Sequence, residues 1–246
     1  MARTRLGLLL LLAVGLIAAC TSNDFPDPSN PVAGTPWPDY ELLRYDMTDQ
    51  RDEKLGTVDF EVERIDDIFQ FRLLFVLEDE VRDEVILTVD AATLSPRSYQ
   101  RLAMGPEGRV EVIATYEFDA EGATVLQSTV IRDDEETVAT EDLGEFAFDT
   151  DSSAWLWRSL AFAQDYEVTY RSVNAVEQRS QLVTLRVVGQ DSLNTPVGDF
   201  VGWQVVARPG LDRQNAWFDV EPPHRLIRWD LQPRRYTLRE IVTERP

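Results

Sequence analysis

From Tyr40 onward, apolar and polar residues alternate along the chain with a period of two, which is typical of strands with one buried face. In 57–64, Val58, Phe60 and Val62 alternate with acidic residues. A second run at 68–77 places its aromatic residues on one face. Further runs of this kind lie at 85–89, 110–118, 123–131, 166–172, 181–189, 198–208, 214–220, 225–230 and 235–243.

Short turn sequences such as Gly105-Pro106-Glu107-Gly108 and Pro209-Gly210 separate these runs. Strands joined by short links pair antiparallel with their sequence neighbours. The mostly apolar stretch after Asp151 or Ser152 predicts a short helix that ends near Phe162. We therefore predict a mainly β fold: a large curved antiparallel sheet, either a half-barrel or a partly open barrel, with one short helix packed on it.

The first residues have the pattern of a secretory leader. Arg3 and Arg5 precede a short apolar stretch at 6–16, and Ile17-Ala18-Ala19 then leads to Cys20, the only cysteine of the 246 residues. This stretch resembles the lipobox of bacterial lipoproteins, in which the thiol carries a diacylglycerol. The alternatives are an uncleaved membrane helix, for which the apolar run is short, and ordinary secretion with an incidental cysteine.

Lipidation predicts three regions: a signal peptide at 1–19, a lipidated Cys20 with a disordered tether through residue 39, and one β-rich domain at 40–246. Five prolines among polar residues favour a tether at 21–39. The lipid bilayer is then a partner through acylated Cys20. Thr21 is not the aspartate that retains many lipoproteins at the inner membrane, which favours the outer membrane in a cell with two membranes and the cell surface otherwise.

The net charge of −20 disfavours a nucleic acid as partner, because phosphate polymers need a basic surface. Known catalytic motifs are missing from the sequence, and His224 is the only histidine, so we expect neither an enzyme nor a cofactor or metal. Asp149-Thr150-Asp151 offers calcium ligands, but helix capping explains these residues better. Chemistry by a pair of carboxylates stays open, because 44 acidic residues give many pairs.

Five aromatic residues are candidates for lining an apolar ligand cavity on the concave face of the sheet. They are Phe69, Phe71 and Phe75 in an early strand, and Trp203 and Trp217 in later strands. The alternative is that they simply form the hydrophobic core.

The C-terminal third resembles a family of bacterial envelope proteins of unknown function. The resemblance rests on Thr195-Pro196-Val197-Gly198-Asp199-Phe200, on two later tryptophans and on Arg225-Leu226-Ile227-Arg228-Trp229. The segment Ser152-Ser153-Ala154-Trp155-Leu156-Trp157-Arg158-Ser159-Leu160 is also similar to that family. The resemblance implies a curved sheet like that of the lipoprotein carriers of the envelope and implies no established activity.

Three functions follow as hypotheses. The first is a membrane-tethered protein that binds an apolar or amphiphilic ligand in the hollow of the sheet. The second is a structural or assembly factor that holds a protein partner in the cell envelope. The third is a hydrolase of envelope polymers, which would need two close acids in an open cleft and a raised pKa on one of them.

Overall fold

The computed structural model describes residues 27–78, 82–106, 108–118, 123–210 and 213–245. Within these residues the chain forms fifteen strands and a short helical segment. The strands are β1 (Tyr40–Thr48), β2 (Lys54–Ile65), β3 (Ile68–Leu77), β4 (Arg82–Asp90), β5 (Pro96–Gly105), β6 (Gly108–Phe118), β7 (Thr124–Arg132), β8 (Glu135–Gly144), β9 (Ala147–Asp149), β10 (Glu167–Asn174), β11 (Arg179–Thr195), β12 (Gly198–Pro209), β13 (Gln214–Asp219), β14 (Leu226–Leu231) and β15 (Arg234–Val242).

All fifteen strands belong to one sheet, in the order β8-β7-β6-β5-β4-β3-β2-β1-β15-β14-β13-β12-β11-β10-β9. The first strand lies beside the last, with Leu42 opposite Val242. Sequence neighbours pair antiparallel along both halves, whereas β9 pairs in parallel with β10. The predicted curved antiparallel sheet is therefore confirmed, and its two edges, β8 and β9, are consecutive in the chain.

The sheet curls until the turn between β10 and β11 reaches β7 and β8. Ser128 Oγ donates a hydrogen bond to the carbonyl oxygen of Ala175 at 2.9 Å. Gln178 Nε2 donates to the carbonyl of Thr137 at 3.2 Å, and Ser180 Oγ to Glu141 Oε1 at 2.8 Å. Side chains rather than a strand ladder thus close this barrel-like sheet.

The helical segment lies inside the curled sheet and consists of a 3-10 turn (Thr150–Ser152), helix α1 (Ser153–Leu156) and a second 3-10 turn (Trp157–Ser159). Trp155 is buried and stacks on Phe71, with ring centroids 4.3 Å apart and planes 1° from parallel. This segment, which we call the plug, fills the middle of the interior.

The predicted helix was too long, whereas Ser152, one of the two predicted cap residues, is the N-cap residue of α1, without a side-chain hydrogen bond. The side chain of Asp149 caps the 3-10 turn before α1, where it accepts from the backbone N–H of Asp151, and the last turn ends at Ser159 rather than near Phe162. Serine hydroxyls compete for backbone carbonyls at both ends: Ser152 Oγ donates to the carbonyl of Asp149, and Ser159 Oγ to that of Leu156. Such local bonds favour short turns over a long helix.

Part of the predicted tether belongs to the folded domain. Trp37 is buried and meets Phe69 and Phe71 edge-on, at centroid distances of 5.6 and 5.9 Å. The backbone N–H of Ala33 donates to the carbonyl of Ser159 at 2.8 Å. Burial of an indole holds this proline-rich stretch on the sheet despite its polar composition.

The predicted signal peptide at 1–19, the lipidation site Cys20 and the first part of the tether lie outside the described residues. Within the part of the chain that the structure describes, no helix is both long and apolar enough to cross a bilayer.

Candidate ligand cavity

A cavity of about 270 Å³ remains between the plug and the inner face of the sheet. It lies at the end of the barrel where β3, β10, β12 and β14 finish and β11, β13 and β15 begin. We call this end the cavity end. Because side chains alternate across each strand, every second residue of these strands points toward the cavity.

One wall of the cavity is aromatic. Trp157 of the plug meets Trp229 edge-on at 5.3 Å between ring centroids, and Trp229 lies 5.8 Å from Tyr236. The indole N–H of Trp157 donates to the hydroxyl of Tyr170 at 3.0 Å, and that of Trp229 to Gln214 Oε1 at 3.2 Å. Since their polar atoms are already bonded, these rings present apolar surface to the cavity.

A polar part of the cavity lining comes from the plug and from β10. Thr150 Oγ1 lies 2.9 Å from both Ser172 Oγ and the carbonyl oxygen of Val173. Asp151 also lines the cavity and accepts a hydrogen bond from the hydroxyl of Tyr99 at 2.8 Å. The cavity therefore combines an apolar side with fixed polar groups, as ligand sites commonly do.

Asp151 belongs to a pair of buried carboxyls at the start of the plug. Asp149 Oδ1 accepts from the backbone N–H of Asp151 at 2.8 Å, and its Oδ2 accepts from the hydroxyl of Tyr116. Burial, together with the neighbouring charge of Asp151, raises the pKa of Asp149 to about 8. Asp149 is thus mostly protonated at neutral pH.

Burial also raises the pKa of Asp151, and the positive charge of Arg101 and the hydrogen bond from Tyr99 oppose this shift. Arg101 is itself held by Asp83, with Nη2 and Oδ2 2.6 Å apart. The two carboxyls differ in access, because Asp151 faces the cavity whereas Asp149 is 1% exposed.

Of the five aromatic residues proposed from the sequence to line a cavity, Phe75 lies in its wall. Phe69 and Phe71 share its side of β3, but they pack against Trp37 and Trp155 in the filled interior. The strand thus carries three phenylalanines on one face; Trp155 of the plug covers Phe71, and Trp37 of the N-terminal segment covers Phe69.

The two tryptophans lie elsewhere. Trp203 stacks on Phe162, with centroids 6.4 Å apart. Trp217 faces outward: its N–H donates to Asp191 Oδ2 at 2.8 Å, and Arg228 lies 5.0 Å above its ring. Adjacent residues point to opposite faces of a strand, and the inner position belongs to the fully buried Phe218.

The sequence prediction missed Trp157 and Tyr236 as cavity residues. Their aromatic character was the available signal, but the position of the plug selects which rings border empty space. His224 lies in a turn, where its Nδ1 is 2.9 Å from the carbonyl oxygen of Asp219. Among the described residues, no group of three or more His, Cys, Asp or Glu side chains is arranged to hold a metal ion.

Residues 44–234 match the model of a family described as "Protein of unknown function (DUF3108)". The chain belongs to this family. The matched residues of the DUF3108 protein include strands from both halves of the sheet and the whole plug. No curated protein matches the sequence significantly.

Among solved structures, the DUF3108 protein is similar to a beta-barrel-like protein of the domain of unknown function DUF1849 from Brucella abortus. The two share 12% identity at a TM-score of 0.58, over 83% of this chain and 98% of the other. At 12% identity, this similarity shows a shared fold.

Two further matches have low TM-scores. A candidate exported protein with a YmcC-like fold from Bacteroides fragilis matches at 8% identity and a TM-score of 0.29, over 86% and 100% of the two chains. A candidate lipoprotein from Parabacteroides distasonis matches at 9% identity and a TM-score of 0.28, over 87% of this chain and 100% of the other.

Proposed function

We propose that this DUF3108 protein is an exported, lipid-anchored envelope protein that binds the apolar part of an amphiphilic ligand in the cavity. The observation that carries the proposal is the pairing of a fixed aromatic wall with a polar wall that includes Asp151. An apolar chain gains free energy by leaving water for the aromatic side. Hydroxyl or cationic groups of the ligand can meet the carboxyl of Asp151 and the hydroxyls of Thr150 and Ser172, which also line the cavity.

The size of the cavity limits the ligand. At about 270 Å³ it is slightly smaller than a typical pocket for a complete small molecule. It holds the end of an acyl chain or a small ring system, so the remainder of the ligand extends through the opening. Glu177 and Arg179 line this opening and form an ion pair at 2.5 Å, which suits a polar remainder.

The proposed location depends on the leader sequence. Arg3, Arg5, the apolar stretch and Cys20 after two alanines support export and acylation. Thr21 after the cysteine supports the outer membrane in a cell with two membranes.

Native mass spectrometry of the acylated protein after gentle extraction tests ligand binding. We expect a bound amphiphile whose occupancy falls when Phe75→Ala removes one ring of the wall. Val76→Ala is the matched control, because Val76 is the next residue of β3, points outward and is 46% exposed. A ligand-free wild-type protein, or equal occupancy in both variants, would overturn the proposal.

An assembly factor is the second candidate, and the outer surface of the edge strand supports it. Val138 of β8 is 64% exposed, and Ile113 of β6 is 49% exposed on the same half of the sheet. Exposed apolar side chains beside a sheet edge suit a protein partner. Photocrosslinking from position 138 in cells should then recover one repeated partner, whereas position 54, an exposed lysine of β2, should not.

The hydrolase hypothesis has less support. Asp149 and Asp151 lie close together, and the pKa of Asp149 is raised to about 8. However, Asp149 is buried behind the cavity wall, where its oxygens already accept two hydrogen bonds. Of this pair of carboxyls, a substrate in the cavity meets Asp151 only.

A further inference from the structure

The two ends of the barrel carry different features. The cavity opens at the cavity end, whereas the N-terminal segment 27–39 enters the sheet at the opposite end, where β1 begins at Tyr40 beside Glu63. We call this second end the anchor end. It includes the turn between β4 and β5 and the link between β8 and β9.

Backbone hydrogen bonds hold the N-terminal segment on the anchor end. The N–H of Arg64 donates to the carbonyl of Asp39 at 2.7 Å, and the N–H of Ser29 donates to that of Thr169, also at 2.7 Å. The chain is therefore fixed to the domain as far as Ser29. A chain advances at most 3.3–3.6 Å per residue, so the nine steps from Cys20 to Ser29 span at most about 32 Å.

Two exposed phenylalanines lie where this segment leaves the domain. Phe118 is 53% exposed and Phe146 is 36% exposed, and both line a surface groove of about 330 Å³ to which Asn30 also contributes. Ile65, the last residue of β2, is a third apolar side chain at this end and is 40% exposed.

The backbone at Phe146 is unusual. Its φ is 52°, in the left-handed region that bulky residues rarely adopt. The N–H of Arg171 donates to the carbonyl of Phe146 at 3.1 Å and helps to hold this conformation. The fold thus keeps a half-exposed aromatic ring next to the exit of the chain.

We propose that the anchor end lies against the lipid surface, with Phe118 and Phe146 in the interfacial layer, so that the cavity opens away from the membrane. The inference rests on the acylation of Cys20 in the proposed function. Acyl chains hold this end within about 32 Å of the bilayer, a reach set by the extended chain. The domain can therefore reach the bilayer, and the two rings gain free energy when they leave water for the boundary between headgroups and acyl chains.

This orientation has two consequences. A ligand reaches the cavity from the aqueous side rather than directly from the bilayer below. Glu117 and Glu145 flank the two phenylalanines in the sequence, so zwitterionic lipids suit this surface better than anionic lipids, which the carboxylates repel.

Depth-dependent fluorescence quenching tests the orientation. The mature acylated protein is placed in phosphatidylcholine vesicles that contain lipids with a nitroxide on the headgroup. The acylated Cys20 does not react with a thiol label, so Phe118→Cys carries one environment-sensitive dye. Met104→Cys is the matched control, because Met104 is 48% exposed on β5 toward the cavity end. Ile65→Cys supplies a second anchor-end position should Phe118→Cys fail to fold.

We expect the lipid nitroxide to quench the dye at position 118 or 65 several-fold more strongly than at 104. Anionic lipids should reduce that quenching. Equal quenching at the two ends, stronger quenching at 104, or a mature protein without acyl chains on Cys20 would overturn the proposal. The measurement needs no ligand, and native mass spectrometry needs no bilayer, so orientation and ligand binding can fail separately.

Discussion

Arg158 of the plug and Glu41 of β1 form an ion pair in the interior, with Nη1 and Oε2 2.6 Å apart and side chains 2% and 0% exposed. Arg225 also donates to Glu41, at 2.8 Å, and the Arg158 guanidinium donates to the carbonyl of Pro223. Trp37 covers the pair, with the guanidinium carbon 5.5 Å from its ring centre. The pair thus joins the plug, the sheet and the N-terminal segment.

Glu41→Gln should destabilise the protein strongly, because it leaves the buried charge of Arg158 without its partner. Breaking a buried ion pair on one side costs about 3–5 kcal/mol. The matched control is Glu240→Gln, which breaks the exposed pair with Arg44 and should cost less than about 1 kcal/mol. Urea denaturation measures both changes, and equal losses would contradict the role of the buried pair.

Trp155→Ala should also lower the free energy of unfolding, since it empties the space between the plug and the sheet. Loss of a buried aromatic side chain costs about 3–5 kcal/mol. Phe118→Ala serves as comparison, because its half-exposed ring should contribute within about 0.5 kcal/mol, as surface positions usually do. A Trp155→Ala protein as stable as the wild type would show that the plug does not support the sheet.

The raised pKa of Asp149 predicts a dependence of stability on pH. Between the ordinary pKa of an unfolded aspartate and about 8, the folded protein binds more protons than the unfolded chain, so this carboxyl makes stability fall as pH rises. Asp149→Asn should flatten that fall. Unfolding curves from pH 5 to pH 9 measure how the free energy of unfolding changes with pH. This range includes the pKa of about 8 for Asp149.

Asp90 is the control, because hydrogen bonds from Arg97 and from Thr93 lower its pKa. Its contribution is present above the unfolded pKa and is lost only as pH falls toward its folded value. Asp90→Asn should therefore leave the slope near neutral pH unchanged. If the free energy of unfolding changed with pH in the same way in wild type and Asp149→Asn, that result would contradict the raised pKa of Asp149.

Gly56→Ala should destabilise β2. Gly56 has a φ of 153°, and an added methyl group would overlap the carbonyl oxygen of Val76 on the neighbouring strand. Gly34→Ala is the matched control, because a methyl group there meets nothing within 4 Å. Thermal unfolding should separate the two variants by at least about 1 kcal/mol, the lower end of the cost of backbone strain. Equal thermal unfolding midpoints for Gly56→Ala and Gly34→Ala would contradict the prediction.

The strands that the sequence predicted share one property. In β2, Val58, Phe60 and Val62 are buried, and the residues between them are partly exposed. One face of such a strand meets the core and the other meets water, so the alternation is visible in the chain itself.

Other strands escaped prediction because their alternation is weak. In β8, residues such as Val138 on one side and Thr137 on the other are both open to solvent, since the strand is an edge. In β1, Glu41, Leu42 and Leu43 are all buried, and Glu41 pairs with Arg158 of the plug instead of facing water.

By itself, the sequence determined that this protein is a curved antiparallel sheet with one short helical interruption, because alternation and turn residues are local properties. Only the tertiary structure decided that Phe75 borders a cavity while Phe71 meets Trp155. It also paired Arg158 with Glu41 and buried Asp149. These outcomes depend on where the plug settles inside the closed sheet, and contacts between distant parts of the chain have no pattern along the sequence.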